Sequence, residues 1–317
     1  MMSHRHLSPF RNGLDSHVKL KDPYNMEEYS LSDIEFQRIR QLVYRLTGIS
    51  LSDAKRQLVK SRLQKRLRRL NLSSFQAYYD YLIAQGDDCS ERTEFINCIT
   101  TNKTDFFREP HHFDFIAKKV IPPLVRMADQ GMRERKLRIW HAGCSTGEEP
   151  YTLAMTLDQA LDRQGNWDWR QLASDIDTGV LAHAERGVYE RERITPVPKA
   201  LLHRYFLSGT GEQADFVRVK QELRDHIAFR QINLLDNSWP FSPGFQFDII
   251  FCRNVVIYFD KPTQKRLFAR YQDLLKPGGY LFIGHSESLL GISEAFDSLG
   301  HTIYRLPERP VERAKAA

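Results

Sequence analysis

The chain has 317 residues, 41% hydrophobic and 27% charged, the proportions of a soluble globular protein with length for one large or two ordinary domains. No apolar run approaches the roughly 20 residues that span a bilayer, and Met-Met-Ser-His-Arg-His-Leu-Ser at the start lacks a signal-peptide core. Cys89, Cys98, Cys144 and Cys252 show no metal-ligand spacing and suit a reducing cytoplasm, while a net charge of +6 suits an acidic partner: nucleic acid, an anionic surface or a negatively charged protein.

Residues 1–27 are polar, without a periodic apolar face, and read as a flexible tail. Helical periodicity starts at Leu31. Ser32 is placed to cap a helix with Glu35 at the capping-box position, and Ile34, Ile39, Leu42, Val43 and Leu46 form a stripe that Gly48 ends. A second helix is expected from Ser52 to Leu70. A third opens near Ser73 or Ser74 and carries Phe75, Tyr78, Tyr79 and Leu82; a fourth includes Phe95, Ile96 and Ile99. Four short helices without a strand pattern predict a helical domain over 28–100. On the second helix Leu58, Val59, Leu63, Leu67 and Leu70 face inward. Arg62, Lys65, Arg66 and Arg69 are then expected to share an outer face, a density of like charge that suits an acidic partner better than a merely solvated surface.

Residues 101–134 read as a linker and connecting helix. Asn102, Thr104 and Arg108 are polar groups on a connector anchored by Phe106 and Phe107. Domain junctions favour ligands, and an arginine can orient a carboxylate through paired hydrogen bonds; helix capping with a solvated arginine is the plainer alternative. His111 and His112 are adjacent, so their rings are expected to diverge, and they read as surface or satisfied groups; no metal is expected.

From residue 135 strands and helices alternate, predicting a mostly parallel, Rossmann-like α/β sheet over 135–308 and a tail at 309–317. Strands are expected at Leu137–Trp140, Trp169–Ser174, Ile227–Ile232, Asp248–Cys252 and Gly279–Ile283, and helices at Pro150–Leu161, Gly179–Arg186 and Thr263–Leu275. Gly209-Thr210-Gly211 and the period-two run Phe216–Leu223 interrupt this alternation and predict a small antiparallel β insertion at about 200–223.

The segment Ile139-Trp-His-Ala-Gly-Cys-Ser-Thr-Gly-Glu-Glu-Pro-Tyr-Thr-Leu-Ala154 reads as strand, glycine turn and helix start, with Pro150 in the first helical turn. Asp175 ends the next strand, where a carboxylate can accept two ribose hydroxyls. These features suggest a nucleoside-containing cofactor. Phe247–Cys252 ends in Arg253 and Asn254, with Tyr258 in the loop beyond, at the strand ends where open α/β sheets bind ligands; Asn233-Leu234 ends the preceding strand in the same way.

Five phrases resemble the CheR-type chemotaxis receptor methyltransferases, in that family's order from about residue 30 to 306: Thr-Asn-Lys-Thr-Asp-Phe-Phe-Arg-Glu-Pro-His-His-Phe, Gly-Cys-Ser-Thr-Gly-Glu-Glu-Pro-Tyr, Ala-Ser-Asp-Ile-Asp-Thr, Phe-Cys-Arg-Asn-Val-Val-Ile-Tyr-Phe and Leu-Lys-Pro-Gly-Gly-Tyr-Leu-Phe-Ile-Gly-His-Ser-Glu. The resemblance implies S-adenosylmethionine as methyl donor and S-adenosylhomocysteine as product. It implies glutamate side chains of chemoreceptors as acceptors, converted to methyl esters for sensory adaptation. By the same resemblance Asn102, Thr104, Arg108, Glu149, Asp175, Asn233, Leu234, Arg253 and Asn254 contact the cofactor, and Arg108 and Tyr258 stand at the transferred methyl. Arg62, Lys65, Arg66 and Arg69 would meet the receptor. Gly209, Thr210 and Gly211 match the turn with which tethering members bind a pentapeptide at the receptor C-terminus. The implied protein is a cytoplasmic monomer recruited to membrane receptor arrays, without nucleic-acid binding or membrane insertion. A nucleic-acid methyltransferase and a non-catalytic cofactor sensor are the rival readings; Arg108 and Tyr258 argue against the sensor.

Overall fold

The computed structural model describes residues 29–86 and 89–308; the two expected tails lie outside the described residues. Helices α1 (Asp33–Thr47), α2 (Arg56–Arg69), α3 (Phe75–Ala84) and α4 (Ser90–Ile99) pack around Phe36, Ile39, Val43, Leu63, Phe75 and Phe95. Ser32 accepts from the Glu35 amide, Glu35 returns a carboxylate to the Ser32 backbone, and Gly48 caps the other end in a left-handed conformation. This capping box satisfies amides that the first turn leaves without helical partners. Ile34 departs from expectation: it is 68% exposed, and Phe36 is buried instead. Five residues separate Ile34 from Ile39, which turns it roughly 140° away from that side of the helix.

The connector leads into α5 (His111–Phe115), one π turn (Ile116–Val120) and α6 (Ile121–Asp129). Then follow β1 (Lys136–Ala142), α7 (Glu148–Ala160), β2 (Asp168–Asp175), α8 (Thr178–Arg186), β3 (Val188–Glu190), α9 (Lys199–Tyr205), β4 (Phe206–Ser208), β5 (Phe216–Val219) and α10 (Gln221–Arg224). The chain closes with β6 (Ile227–Gln231), β7 (Phe247–Cys252), α11 (Lys261–Leu274), β8 (Leu275–Ile283), β9 (Asp297–Ser298) and β10 (Ile303–Arg305). The main sheet runs β6-β2-β1-β7-β8-β10-β9, parallel from β6 to β8 and antiparallel at β10 and β9. β7 is buried at every position, as a central parallel strand covered on both faces requires. Chain order reverses between β1 and β7, which opens a crevice at their carboxyl ends.

The β insertion is larger and differently built than expected. Its sheet has the order β3-β5-β4, so Val188–Glu190, upstream of residue 200, contributes an edge strand. β5 stops at Val219, and Leu223 is buried from the short helix α10 instead of from a longer strand. Gly209 and Thr210 lead into a turn of 3-10 helix at Gly211–Gln213, a longer connection than a two-residue hairpin.

The helical unit is fastened across the crevice. Asp177, the N-cap of α8, accepts from Thr100 Oγ1 and Asn102 Nδ2, both at 2.7 Å. On the far side Asn233 Nδ2 donates to Leu46 O (2.8 Å) and the Ser50 amide to Tyr258 O (2.8 Å). A roof thus rests on both banks of the sheet edge.

Candidate active site

Under this roof lies a cavity of about 1250 Å³ counted out to its open mouth. The glycine turn after β1 forms its floor. A Cβ on Gly143 would come within 2.3 Å of Val255 Cγ2, so the loops after β1 and β7 approach this closely because Gly143 has no side chain. Asp175, at the end of β2, accepts from the Ser145 amide through Oδ2 (2.9 Å) and the Asp177 amide through Oδ1 (3.0 Å). Burial pushes its carboxyl up to about 6, against those amide bonds. Ser145 Oγ is buried without a partner in the protein. A buried carboxylate with one amide on each oxygen and an orphaned hydroxyl, on a cavity wall that also carries the apolar Ile49, Leu58, Ile232 and Leu234, fit a ligand with a flat base and a polyhydroxylated sugar.

All ten residues named for cofactor and methyl transfer line this one cavity. Asn102, Thr104 and Arg108 come from the connector, Glu149 and Asp175 from the floor, Asn233 and Leu234 from the end of β6. Arg253, Asn254 and Tyr258 follow β7. Several of them already have protein partners, among them Asn102 on Asp177, Asn233 on Leu46 O and the two arginines. Arg253 gives Nη1 to Glu149 (2.9 Å) and Nη2 to the Arg108 carbonyl (2.5 Å) and lies 3.3 Å from Glu109. Burial pushes the Glu149 carboxyl up, but the His141 hydrogen bond (2.8 Å) and the Arg253 charge outweigh it and hold it below the ordinary range. Arg108 spends Nη1 on Lys103 O (2.8 Å). Burial raises the Tyr258 phenol while the nearby Arg108 charge opposes that rise.

Sequence reasoning gave no role to Glu287. It is 5% exposed and accepts the amides of Gly284 (2.6 Å), Asn254 (2.8 Å) and Ile257 (3.2 Å). It therefore stitches the loop after β8 to the loop that presents Tyr258. Burial raises its carboxyl against those amides. Its only signal was its place three residues beyond Gly284, at the end of a buried strand.

Two expectations are corrected. Arg66 does not share an outer face with its neighbours: it is 8% exposed and ion-paired with Glu91 and Glu94. Arg62 is half-buried and donates to the carbonyls of Ile99 (2.8 Å) and Thr100 (2.7 Å), closing the carboxyl end of α4. Only Lys65 and Arg69 of the four, with Arg68 beside them, are exposed. His111 and His112 do not diverge: their rings lie 4.2 Å apart and both Nε2 atoms face His301 O. With Glu109 they offer ligand atoms within 4.8 Å of one another. Arg253 lies 3.3 Å from that carboxylate, and burial pushes His112 down to about 4, so its ring is neutral at physiological pH.

In the insertion, a Cβ on Gly209 would lie 1.9 Å from Gln213 O, and Gly211 has φ +57°. The turn needs both glycines. It lies among no residue that lines the cavity.

A doubly wound sheet with a glycine turn, a buried aspartate on the next strand and a roofed cavity at its switch point defines a protein of the nucleoside-binding α/β class. The chain belongs to the CheR methyltransferase family: the family's S-adenosylmethionine-binding domain matches residues 102–305 and its all-alpha domain residues 34–100. It is similar to chemotaxis protein methyltransferase 2 of Pseudomonas aeruginosa, 48% identical over 283 residues that cover 89% of this chain and 96% of that one. The chemotaxis protein methyltransferases of Salmonella typhimurium and Escherichia coli are each 44% identical over 280 residues, 88% of this chain and 92% and 93% of theirs. The cofactor is S-adenosylmethionine, and the protein is an S-adenosylmethionine-dependent methyltransferase. Among the described residues no helix is long and apolar enough to cross a membrane.

Proposed function

We propose that this enzyme methylates glutamate side chains of chemoreceptors, forming methyl esters for sensory adaptation. The observation that carries this reading is a pair of uncommitted donors. Arg108 Nε and Nη2 and the Tyr258 hydroxyl make no hydrogen bond among the described residues, yet both side chains line the cavity. A cationic fork beside a neutral donor suits an anionic, planar acceptor.

Bound S-adenosylmethionine supplies a methyl group on positively charged sulfur. Asp175 would hold the ribose hydroxyls, and the apolar Ile232 and Leu234 would line the base. Arg108 orients the acceptor carboxylate and Tyr258 steadies it. A glutamate with a pKa of about 4.3 is already ionised at neutral pH, so no residue need take a proton. Placement dominates: reacting atoms within roughly 3–3.5 Å and aligned. Residues of the helical roof, among them Thr47, Ile49 and Leu51, keep water from a site where opposite charges meet.

The name shared by the relatives supports a receptor substrate, and the exposed Lys65, Arg68 and Arg69 of α2 would meet its acidic surface. The edge strands β3 and β4 could accept an extended receptor tail by strand addition. We place the enzyme in the cytoplasm, acting as a monomer at receptor arrays. The test is transfer of labelled methyl from S-adenosylmethionine to receptor-bearing membranes. Base-labile label on receptor glutamates is expected; base-stable label, or label on nucleic acid, would overturn the assignment.

A further inference from the structure

We infer that Glu109, a residue outside the cavity, is a positioning residue for methyl transfer: gripped by Arg253 and His285, it holds the strained backbone that carries Arg108 into the site. The inference rests on the reading of Arg108 as the group that places the acceptor carboxylate.

The strain is visible on both sides of Arg108. Phe107 has φ +55° and Glu109 φ +56°, a left-handed conformation that side chains of this size rarely adopt. Two such residues around one arginine persist only where the surroundings over-determine them. Four contacts do so. The Phe107 amide donates to Thr152 Oγ1 (3.1 Å), on a fully buried threonine of α7. The Phe107 ring packs edge-on against Phe113. The Arg108 amide donates to Asp105 O (3.3 Å). The Arg108 carbonyl accepts from Arg253 Nη2 at 2.5 Å.

That last contact depends on where the Arg253 guanidinium sits. Its side chain is 3% exposed and lies between two carboxylates, Glu149 at 2.9 Å and Glu109 at 3.3 Å. Glu109 in turn receives the amide (3.2 Å) and Nδ1 (3.0 Å) of His285, in the loop after β8. One carboxylate thereby ties the connector to the loops after β7 and β8. Removing its charge leaves Arg253 drawn towards Glu149 alone and frees the Arg108 carbonyl. Glu109 does not line the cavity, so any effect it has on turnover must travel through these contacts.

The experiment is a double-mutant cycle on the full chain: Glu109→Gln, Arg108→Ala and the pair, with kcat and KM for receptor methylation and calorimetric affinity for S-adenosylhomocysteine. Glu109→Gln should lower kcat roughly tenfold or more, since misplacement of about 1 Å can cost two orders of magnitude. Its affinity for S-adenosylhomocysteine should fall by less than kcat does, since Arg253 and Glu149 line the same cavity and stay paired. In the Arg108→Ala background the same change should cost less than about twofold, because residues acting as one unit are not additive. If the two effects multiply, Glu109 acts elsewhere and the inference falls, while the role of Arg108 stands. Full activity of Arg108→Ala would remove that role and this inference together. Should Glu109→Gln fail to fold, His285→Ala loosens the same carboxylate from its exposed side. It should lower kcat in the same direction and be silent without Arg108; additivity there refutes the inference equally.

Discussion

Asp175 poses a conflict between stability and cofactor binding that Asp175→Asn should expose. Its carboxyl, displaced by burial from 3.8 to about 6, carries a charge whose burial costs on the order of 3 kcal/mol at neutral pH. The sign follows from the direction of the shift. Below about pH 4 both folded and unfolded chains hold the proton and the cost is absent; it appears as pH rises from about 4 to 6 and is complete above. Asparagine removes that charge but has one acceptor oxygen for the two amides of Ser145 and Asp177. One orphaned amide costs about 1–3 kcal/mol. The variant without cofactor should therefore be as stable as the wild type at pH 7.5, or up to about 2 kcal/mol more stable. Cofactor binding should move the other way. Loss of a charged acceptor for the ribose hydroxyls removes about 1.5–3 kcal/mol, roughly ten- to a hundredfold in affinity. Binding that requires the carboxylate should weaken in the wild type about tenfold per pH unit below 6 and be nearly flat in the variant. Calorimetry with S-adenosylhomocysteine from pH 5 to 8, beside urea unfolding, reads both quantities. Equal affinity of the two proteins at pH 7.5, or a variant several kcal/mol less stable, would refute the reasoning.

Arg108→Ala should reduce turnover more than cofactor affinity; equal activity at saturating S-adenosylmethionine would remove it from acceptor placement. Lys65→Glu with Arg69→Glu should raise KM for the receptor and flatten its salt dependence, since clustered charges steer encounter where single exposed pairs do little. Normal methylation at low ionic strength would leave α2 a solvated face. Arg66→Glu belongs to another class: it breaks the buried pair with Glu91 and should cost about 3–5 kcal/mol in urea unfolding, an effect that unchanged stability would contradict. Replacing Gly209-Thr210-Gly211 by Ala-Thr-Ala should abolish binding of a receptor C-terminal pentapeptide and leave S-adenosylhomocysteine binding intact. Loss of both would mean the insertion supports the core, and loss of neither that the enzyme is not tethered through this turn.

Regular periodicity carried most of the fold. The capping box at Ser32 and Glu35, the alternation after residue 135 and the polar residues closing β2, β6 and β7 are local patterns, and local patterns are written in the chain. Phrases with strand, turn and helix in one run likewise marked Asp175, Arg253 and Asn254 as strand-end groups, and the structure places them around one cavity. What the sequence alone left open was direction and partnership. Arg62 and Arg66 have the same spacing as exposed neighbours; only the packing of α4 against α2 turns them to carbonyls and to Glu91. The third strand of the insertion, β3, comes from a segment too short to show a period. Glu109 and Glu287 are single acids in polar runs. Their meaning arises where loops 33 to 176 residues apart meet on one carboxylate, and a contact at that separation depends on the path of the whole backbone.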